Sequence, residues 1–225
     1  MLSVSYLQEY LTGLFVNIGC SFADAQVVTQ SILEAELRGL DAYGVVYVER
    51  YYELIRAKRI NLKPEMRVLY QTPSTATLEA DAALGPLAAK RGMEIAIEKA
   101  TTAGTGWVAV RGSNHFGVAA YYSMLAIEKD MVGVAMTNSE PMVAAINGTT
   151  RMLGTNPVSV AFPAQKHPHL VFDFSTVPFS QGKLEKLPHP LPNSIVQDAM
   201  GQPANNAATL KRGGAMLPLG GDVAH

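Results

Sequence analysis

The chain has 225 residues, of which 48% are hydrophobic and 16% charged, a composition that belongs to a folded globular protein and excludes a disordered one. Its 18 basic and 19 acidic residues leave a formal net charge of -1, so no broad basic field exists to hold a nucleic-acid backbone or an anionic membrane. A single cysteine, Cys20, excludes an internal disulfide framework, and no Cys/His cluster has zinc spacing, so the expected partner is a small molecule or a protein and no metal is expected.

The N-terminal MLSVSYLQEYLTGLF lacks the basic region and long apolar core of a signal peptide. Val4, Leu7, Leu11, Leu14, Phe15 and Ile18 instead mark one face of an amphipathic helix that ends at Gly19. Ser21, with Asp24 three residues on, opens a second helix running to about Arg38. LDAYG breaks the pattern and VVYVERYYELIRAK resumes it as a third helix. The character changes at NLKPE. MRVLYQ and TATLEA alternate like strands, LGPLAAKRGMEIAIEKATTAG is a helix closed by Gly104, GWVAV a strand and VAAYYSMLAIEKD a helix. MVGVAMTN, PVSVAFPA and HLVFDFS are further strands, and SQGKLEKL starts a helix. From Pro188 onward the chain reads as a long loop. No apolar run is long enough to span a bilayer, and the cytoplasm is the expected location. Strands alternating with helices predict an α/β class fold whose sheet is covered on both faces.

The usual dinucleotide-binding turn, the P-loop and the G-x-S-x-G elbow are all missing. Attention therefore falls on polar loops at strand ends, where α/β proteins gather ligands. Three such loops are SNHFG after GWVAV, TNSEP after MVGVAMTN, and DFSTVP after HLVF. His115 is a candidate proton donor, because its ordinary pKa is near neutral, and Glu140 is a candidate to orient it. Asn138, Ser139, Ser175 and Thr176 offer neutral hydrogen bonds. The alternative is that His115 merely caps the helix that follows. LGTNP at 153–157 is a second candidate, with Gly154 free to take unusual dihedrals and Asn156 pushed extended by the proline, or else a plain tight turn. Tyr43, Tyr47 and Tyr51 share one stripe if the third helix begins early. Arg151 and Lys183 are candidates to bind an anion, the alternative being that they are simply solvated, as single basic residues usually are.

The ordered motifs SNHFG, TNSEP, LGTNPVSVAFP, VFDFS with QGK, and LPLGG resemble those of the malate/L-lactate dehydrogenase family of the non-Rossmann type, over nearly the whole chain. The resemblance implies an oxidoreductase passing a hydride between NAD or NADP and a 2-oxo or 2-hydroxy acid. It implies a helical N-terminal segment at 1–63 beside a mixed-sheet α/β/α cofactor domain at 64–225, of the L-sulfolactate dehydrogenase-like type, in a homodimer. Carried over, His115 matches the family's acid/base histidine, Ser139 a cofactor contact, and Asp173, Phe174 and Ser175 a segment against the cofactor. The expected cofactor set is then Asn138, Ser139, Thr155, Asn156, Asp173, Phe174 and Ser175. The expected substrate set is Tyr47, Tyr51 and Asn114, with Tyr43 a second proton donor and Glu140 charge-stabilising His115.

Departures matter too. The family's D-S-H-G-V followed by an arginine reads DAYGVVYVERY here. Ala42 replaces serine, Tyr43 replaces a histidine, and Tyr47 stands where an arginine would meet the substrate carboxylate, which is not a conservative change. Val223 and Ala224 occupy the place of a Lys-Gly pair that touches the cofactor. The chain therefore looks truncated, with an incomplete cofactor domain, an uncovered apolar face and a tendency to self-associate. The competing expectation is an inactive fragment or pseudoenzyme that binds a nucleotide or a partner without turnover.

Overall fold

The computed structural model describes residues 2–184, 186–191 and 195–220. Helix α1 (Val4–Ile18) begins at Ser3, whose hydroxyl accepts the Tyr6 N–H, and stops at Gly19, where φ is 120°. Helix α2 (Phe22–Leu37) begins at Ser21, whose hydroxyl accepts the Asp24 N–H at 3.1 Å, as the Ser-Asp spacing predicts. A 3-10 turn at Asp41–Tyr43 leads into α3 (Tyr47–Arg56). This helix starts later than its sequence pattern suggests, because the Glu36 carboxylate accepts the Val45 N–H at 2.6 Å and holds the preceding turn. Strand β1 (Arg67–Gln71) pairs antiparallel with β2 (Thr75–Ala83), helix α4 (Gly85–Ala103) crosses over, and β3 (Trp107–Ser113) pairs parallel with β2. Helix α5 (Ala119–Leu125) gives way to a 3-10 turn at Ile127–Lys129, so the helix expected through IEKD is cut short.

Beyond α5 come β4 (Gly133–Met136), β5 (Val143–Ala144), β6 (Arg151–Leu153), β7 (Val158–Phe162), β8 (Leu170–Phe174), α6 (Gln181–Leu184), β9 (Val196–Gln197), β10 (Pro203–Ala204) and β11 (Ala215–Met216). The sheets run in the orders β1-β2-β3, β10-β9-β11-β5-β6 and β4-β7-β8, and mix parallel with antiparallel pairs. The α/β class is as the sequence predicts.

The chain divides into two compact units, Met1–Val134 with Val160–Val171, and Ala135–Ser159 with Phe172–His225. Strands β4, β7 and β8 each carry the chain from one unit to the other. The boundary expected after residue 63 falls inside the first unit, where Leu84 and Leu87 share a core with Leu11, Phe15, Val28, Ile32, Tyr51 and Leu54. Burying these side chains contributes roughly 1.5–3 kcal/mol each, so the helices and α4 are held as one body.

The expected long loop after Pro188 is a correction. It holds β9, β10, a 3-10 helix at Ala207–Arg212 and β11. Leu191, Ile195, Val196, Leu210 and Met216 bury there against Val143 and Val177. Strands two residues long carry no readable alternation, which is why the sequence pattern hides them. The Arg151 guanidinium clips this segment, its Nε donating to the Gly214 carbonyl at 2.7 Å and its Nη2 donating to the Leu210 carbonyl. Arg151 is thereby committed to backbone. The Val223–Ala224 departure lies outside the described residues. Among the described residues no helix is long and apolar enough to cross a membrane, and no cluster of His, Cys, Asp and Glu has the makings of a metal site.

Candidate active site

In the first unit the turn between β3 and α5 sets His115 among three tyrosine rings. Tyr47 stacks on the imidazole with centroids 4.1 Å apart at 23°, and Tyr43 lies near-parallel to it at 5.7 Å. Tyr51 is tilted at 6.4 Å, and its hydroxyl donates to the His115 carbonyl at 3.1 Å. Tyr47, the first residue of α3, and Tyr51, one turn further on, share a helix face, whereas Tyr43 comes from the preceding 3-10 turn, so the early helix start that a three-tyrosine stripe requires is absent and the three rings meet only around His115. Tyr51 is buried at 2% exposure, and burial holds its phenol well above the ordinary range.

The backbone under His115 is held from several sides. The Asn114 amide donates to the Ala82 carbonyl at 3.0 Å and to the Ala83 carbonyl at 2.9 Å. Both amide protons are thus spent on the end of β2, where Asp81 and Ala82 take left-handed φ values of 53° and 55°. Two such residues in a row cost roughly 1–3 kcal/mol each, and the Asn114 bonds help offset that. A Cβ at Gly85 would lie 2.1 Å from the His115 carbonyl oxygen, so only glycine allows α4 to begin this close to the turn.

The imidazole itself is half-buried and tightly packed. Burial pulls its pKa from 6.5 down to about 4, so at neutral pH the ring is uncharged. Its Nδ1 accepts the Gly117 N–H at 3.3 Å. A neutral ring whose Nδ1 is an acceptor carries its proton on Nε2, which leaves Nε2–H as the donor for a ligand.

The second unit gathers another polar group. Ser139 Oγ accepts the Thr155 N–H at 2.8 Å and lies 3.1 Å from Thr155 Oγ1. The Ser139 N–H donates to Asn156 Oδ1 at 3.3 Å, and Thr176 Oγ1 donates to the Thr155 carbonyl at 3.1 Å. The TNSEP loop, LGTNP and the start of STVP are therefore one assembly. Gly154 is its hinge pin: a Cβ there would sit 2.5 Å from the Ser139 carbonyl and 2.7 Å from Asn156 Oδ1. Asn156, expected to be extended ahead of Pro157, instead takes a left-handed φ of 42°, a conformation asparagine tolerates better than most residues. Asn138, Ser139, Glu140, Asp173 and Phe174 are exposed, and Thr155, Asn156 and Ser175 are half-buried.

The chain matches the malate/L-lactate dehydrogenase family over residues 2–224. It belongs to that family. It is 37% identical over 218 residues to a malate dehydrogenase of Pyrococcus abyssi, an alignment covering 96% of this chain and 60% of that protein. It is 36% identical to an L-sulfolactate dehydrogenase of Methanocaldococcus jannaschii, covering 95% of this chain and 62% of that one. The solved sulfolactate dehydrogenase from the same organism superposes with a TM-score of 0.90 at 32% identity, covering 98% of this chain and 64% of that chain. The chain thus spans about three-fifths of the length of these malate/L-lactate dehydrogenase relatives.

Seen in this family member, the candidates chosen from sequence form two groups. His115, Asn114, Tyr43, Tyr47 and Tyr51 lie in the first unit, while Asn138, Ser139, Glu140, Thr155, Asn156, Asp173, Phe174 and Ser175 lie in the second. The orienting bond at His115 Nδ1 comes from Gly117 N–H. Sequence reasoning missed Ser31, Gly85 and Tyr122. Gly85 had a readable hint, a glycine ahead of Pro86 at a helix start. Ser31 and Tyr122 had none, for each sits in a helix among ordinary core residues.

Proposed function

We propose that the chain acts as a nicotinamide-dependent oxidoreductase that interconverts small 2-oxo and 2-hydroxy acids. The observation that carries the reading is a neutral His115, held by its backbone with Nε2–H as the offered donor, in a chain whose relatives are dehydrogenases. The Ser139, Thr155 and Thr176 hydroxyls, with Asn138, Asn156, Asp173, Phe174 and Ser175, would hold NAD or NADP. Their fit rests on chemistry: the hydroxyls and asparagine amides offer neutral hydrogen bonds to phosphate, ribose and amide groups, the Asp173 carboxylate can only accept, as from a ribose hydroxyl, and the Phe174 ring offers an apolar face. When bound, the cofactor supplies or removes a hydride at the substrate's C2.

His115 does the proton work. Its Nε2–H donates to the C2 oxygen and stabilises the charge that develops there. The proton passes from Nε2 of the neutral ring to the alkoxide, whose proton affinity is comparable with that of the imidazolate left behind, with Nδ1 still accepting the Gly117 N–H, and the ring then recovers its proton from solvent. The Tyr43 and Tyr47 hydroxyls serve as neutral donors to the substrate, and the Asn114 side chain offers only Oδ1, its NH2 being spent on backbone. A homodimer working in the cytoplasm completes the reading. A second reading, ligand binding without turnover, is favoured by one feature: the Tyr47 ring lies directly on His115, where an arginine would otherwise stand.

The test is a titration of the purified chain with NADH and with NADPH, followed by Trp107 fluorescence, and then addition of a panel of 2-oxo acids. Saturable quenching with consumption of the reduced cofactor supports the reading. Quenching without consumption selects binding without turnover, and neither signal refutes both.

A further inference from the structure

Ser31 and Tyr122 play no part in the reading above, yet both are 1% exposed or less of their surface, polar, and aimed at the His115 turn. Tyr122, from α5, donates its hydroxyl proton to the Phe116 carbonyl. Its ring also stacks on the Phe116 ring, with centroids 5.0 Å apart at 6°. Ser31 Oγ, from α2, lies 3.2 Å from the Tyr122 oxygen. A phenol has one proton, and Tyr122 spends it on Phe116, so Ser31 is the donor in that pair. Ser31 also sits beneath Gly117, where a Cβ would approach its Oγ to 2.9 Å and where φ is 78°.

The Phe116 carbonyl and the Gly117 N–H are opposite ends of one planar peptide group. Fixing the carbonyl therefore fixes the direction of the N–H, and that N–H is the one on His115 Nδ1. The donors all point the same way: Ser31 to Tyr122, Tyr122 to the 116–117 peptide, the peptide to the imidazole. Aligned hydrogen bonds polarise one another, so each link strengthens the next. Glycine at 117 would otherwise let this peptide turn over cheaply, since its left-handed φ costs it nothing.

We propose that Ser31 and Tyr122 are positioning residues that hold the 116–117 peptide in one orientation and thereby keep the His115 proton on Nε2. This inference rests on His115 being the acid/base group for its bearing on turnover, but the tautomer itself does not depend on any reaction. The mechanism is specific. With the Tyr122 hydroxyl gone, the 116–117 peptide is released, Nδ1 loses its donor, and the proton redistributes between the two ring nitrogens.

The experiment is ¹⁵N NMR of histidine-labelled protein at neutral pH, with the His115 signals identified by their loss in His115→Gln. The parent is expected to show the Nε2–H pattern. Tyr122→Phe is expected to move both ring nitrogens toward the average of the two tautomers, and Ser31→Ala to move them the same way by less. In an active preparation Tyr122→Phe should lower kcat roughly tenfold, about the worth of one hydrogen bond, with KM little changed. A purely structural role predicts a lower melting temperature and unchanged ¹⁵N shifts. Unchanged shifts in folded Tyr122→Phe overturn the proposal. If that variant does not fold, unchanged shifts in Ser31→Ala overturn it. Shifts that move in a chain that proves inactive uphold this inference and sink the enzymatic reading.

Discussion

Acidification should cost this protein stability through His115 in particular. The imidazole titrates near 6.5 when free in the unfolded chain and at about 4 in the folded one, because burial disfavours its charged form. Above pH 6.5 both states are neutral at this site and the site adds no pH dependence. Between 6.5 and about 4 the unfolded chain takes up a proton that the folded chain refuses, so stability falls as the pH falls, and below about 4 the loss is complete. At about 1.4 kcal/mol for each pH unit, that window corresponds to about 3 kcal/mol. The Tyr47 face, 4.1 Å away, attracts an imidazolium by about 0.5–2 kcal/mol, less than the roughly 3 kcal/mol by which burial disfavours it. A loss of that size is a large share of the roughly 5–15 kcal/mol a domain has. The assay is urea denaturation of the parent and of His115→Gln at a series of pH values from 7.5 to 4.5. Glutamine removes the titration, so any packing penalty it brings is constant with pH. The two stability curves should converge by about 2–3 kcal/mol as the pH falls through this window. Parallel curves would refute the claim that a buried neutral imidazole sits here.

Other consequences are as direct. Gly85→Ala puts a Cβ 2.1 Å from the His115 carbonyl, so it should cost about 1–3 kcal/mol, read as a lower melting temperature. Asn114→Ala strips two hydrogen bonds from a doubly left-handed strand end and should cost a similar 1–3 kcal/mol or so, which chemical denaturation would resolve. Tyr47→Arg supplies a bidentate cation on the substrate side of His115 and should tighten binding of an anionic 2-oxo acid about tenfold at neutral pH, measured by calorimetry. An unchanged affinity would place the substrate carboxylate elsewhere.

What the sequence made legible was local. Ser21, Gly19 and Gly104 mark helix ends through bonds to neighbours only a few residues away, and these ends appear where the pattern puts them. His115 stood out because a strand end followed by a helix start is itself a local signature. Tyr47 and Tyr51 were legible as helix neighbours, but Tyr43 reaches the same imidazole from the 3-10 turn rather than from an early start of α3, and the common target of the three was not legible. The partners of the turn were hidden, because Ser31 and Tyr122 are 91 residues apart and each lies within a helix whose pattern reads only as core. The same holds for Asn114, whose side-chain NH2 bonds the end of β2, 31 and 32 residues back in the chain. The segment after Pro188 was misjudged because its order comes from burial of scattered apolar residues and from Arg151, not from any period.

The central claim is that His115 moves the proton in a nicotinamide-linked reduction of a 2-oxo acid. The most direct measurement is the steady-state rate of reduced-nicotinamide consumption with the best 2-oxo acid, for the parent and for His115→Gln side by side. Loss of a general acid predicts a fall in kcat of about a hundredfold or more, with KM much less affected. A His115→Gln chain that turns over as fast as the parent would contradict the account.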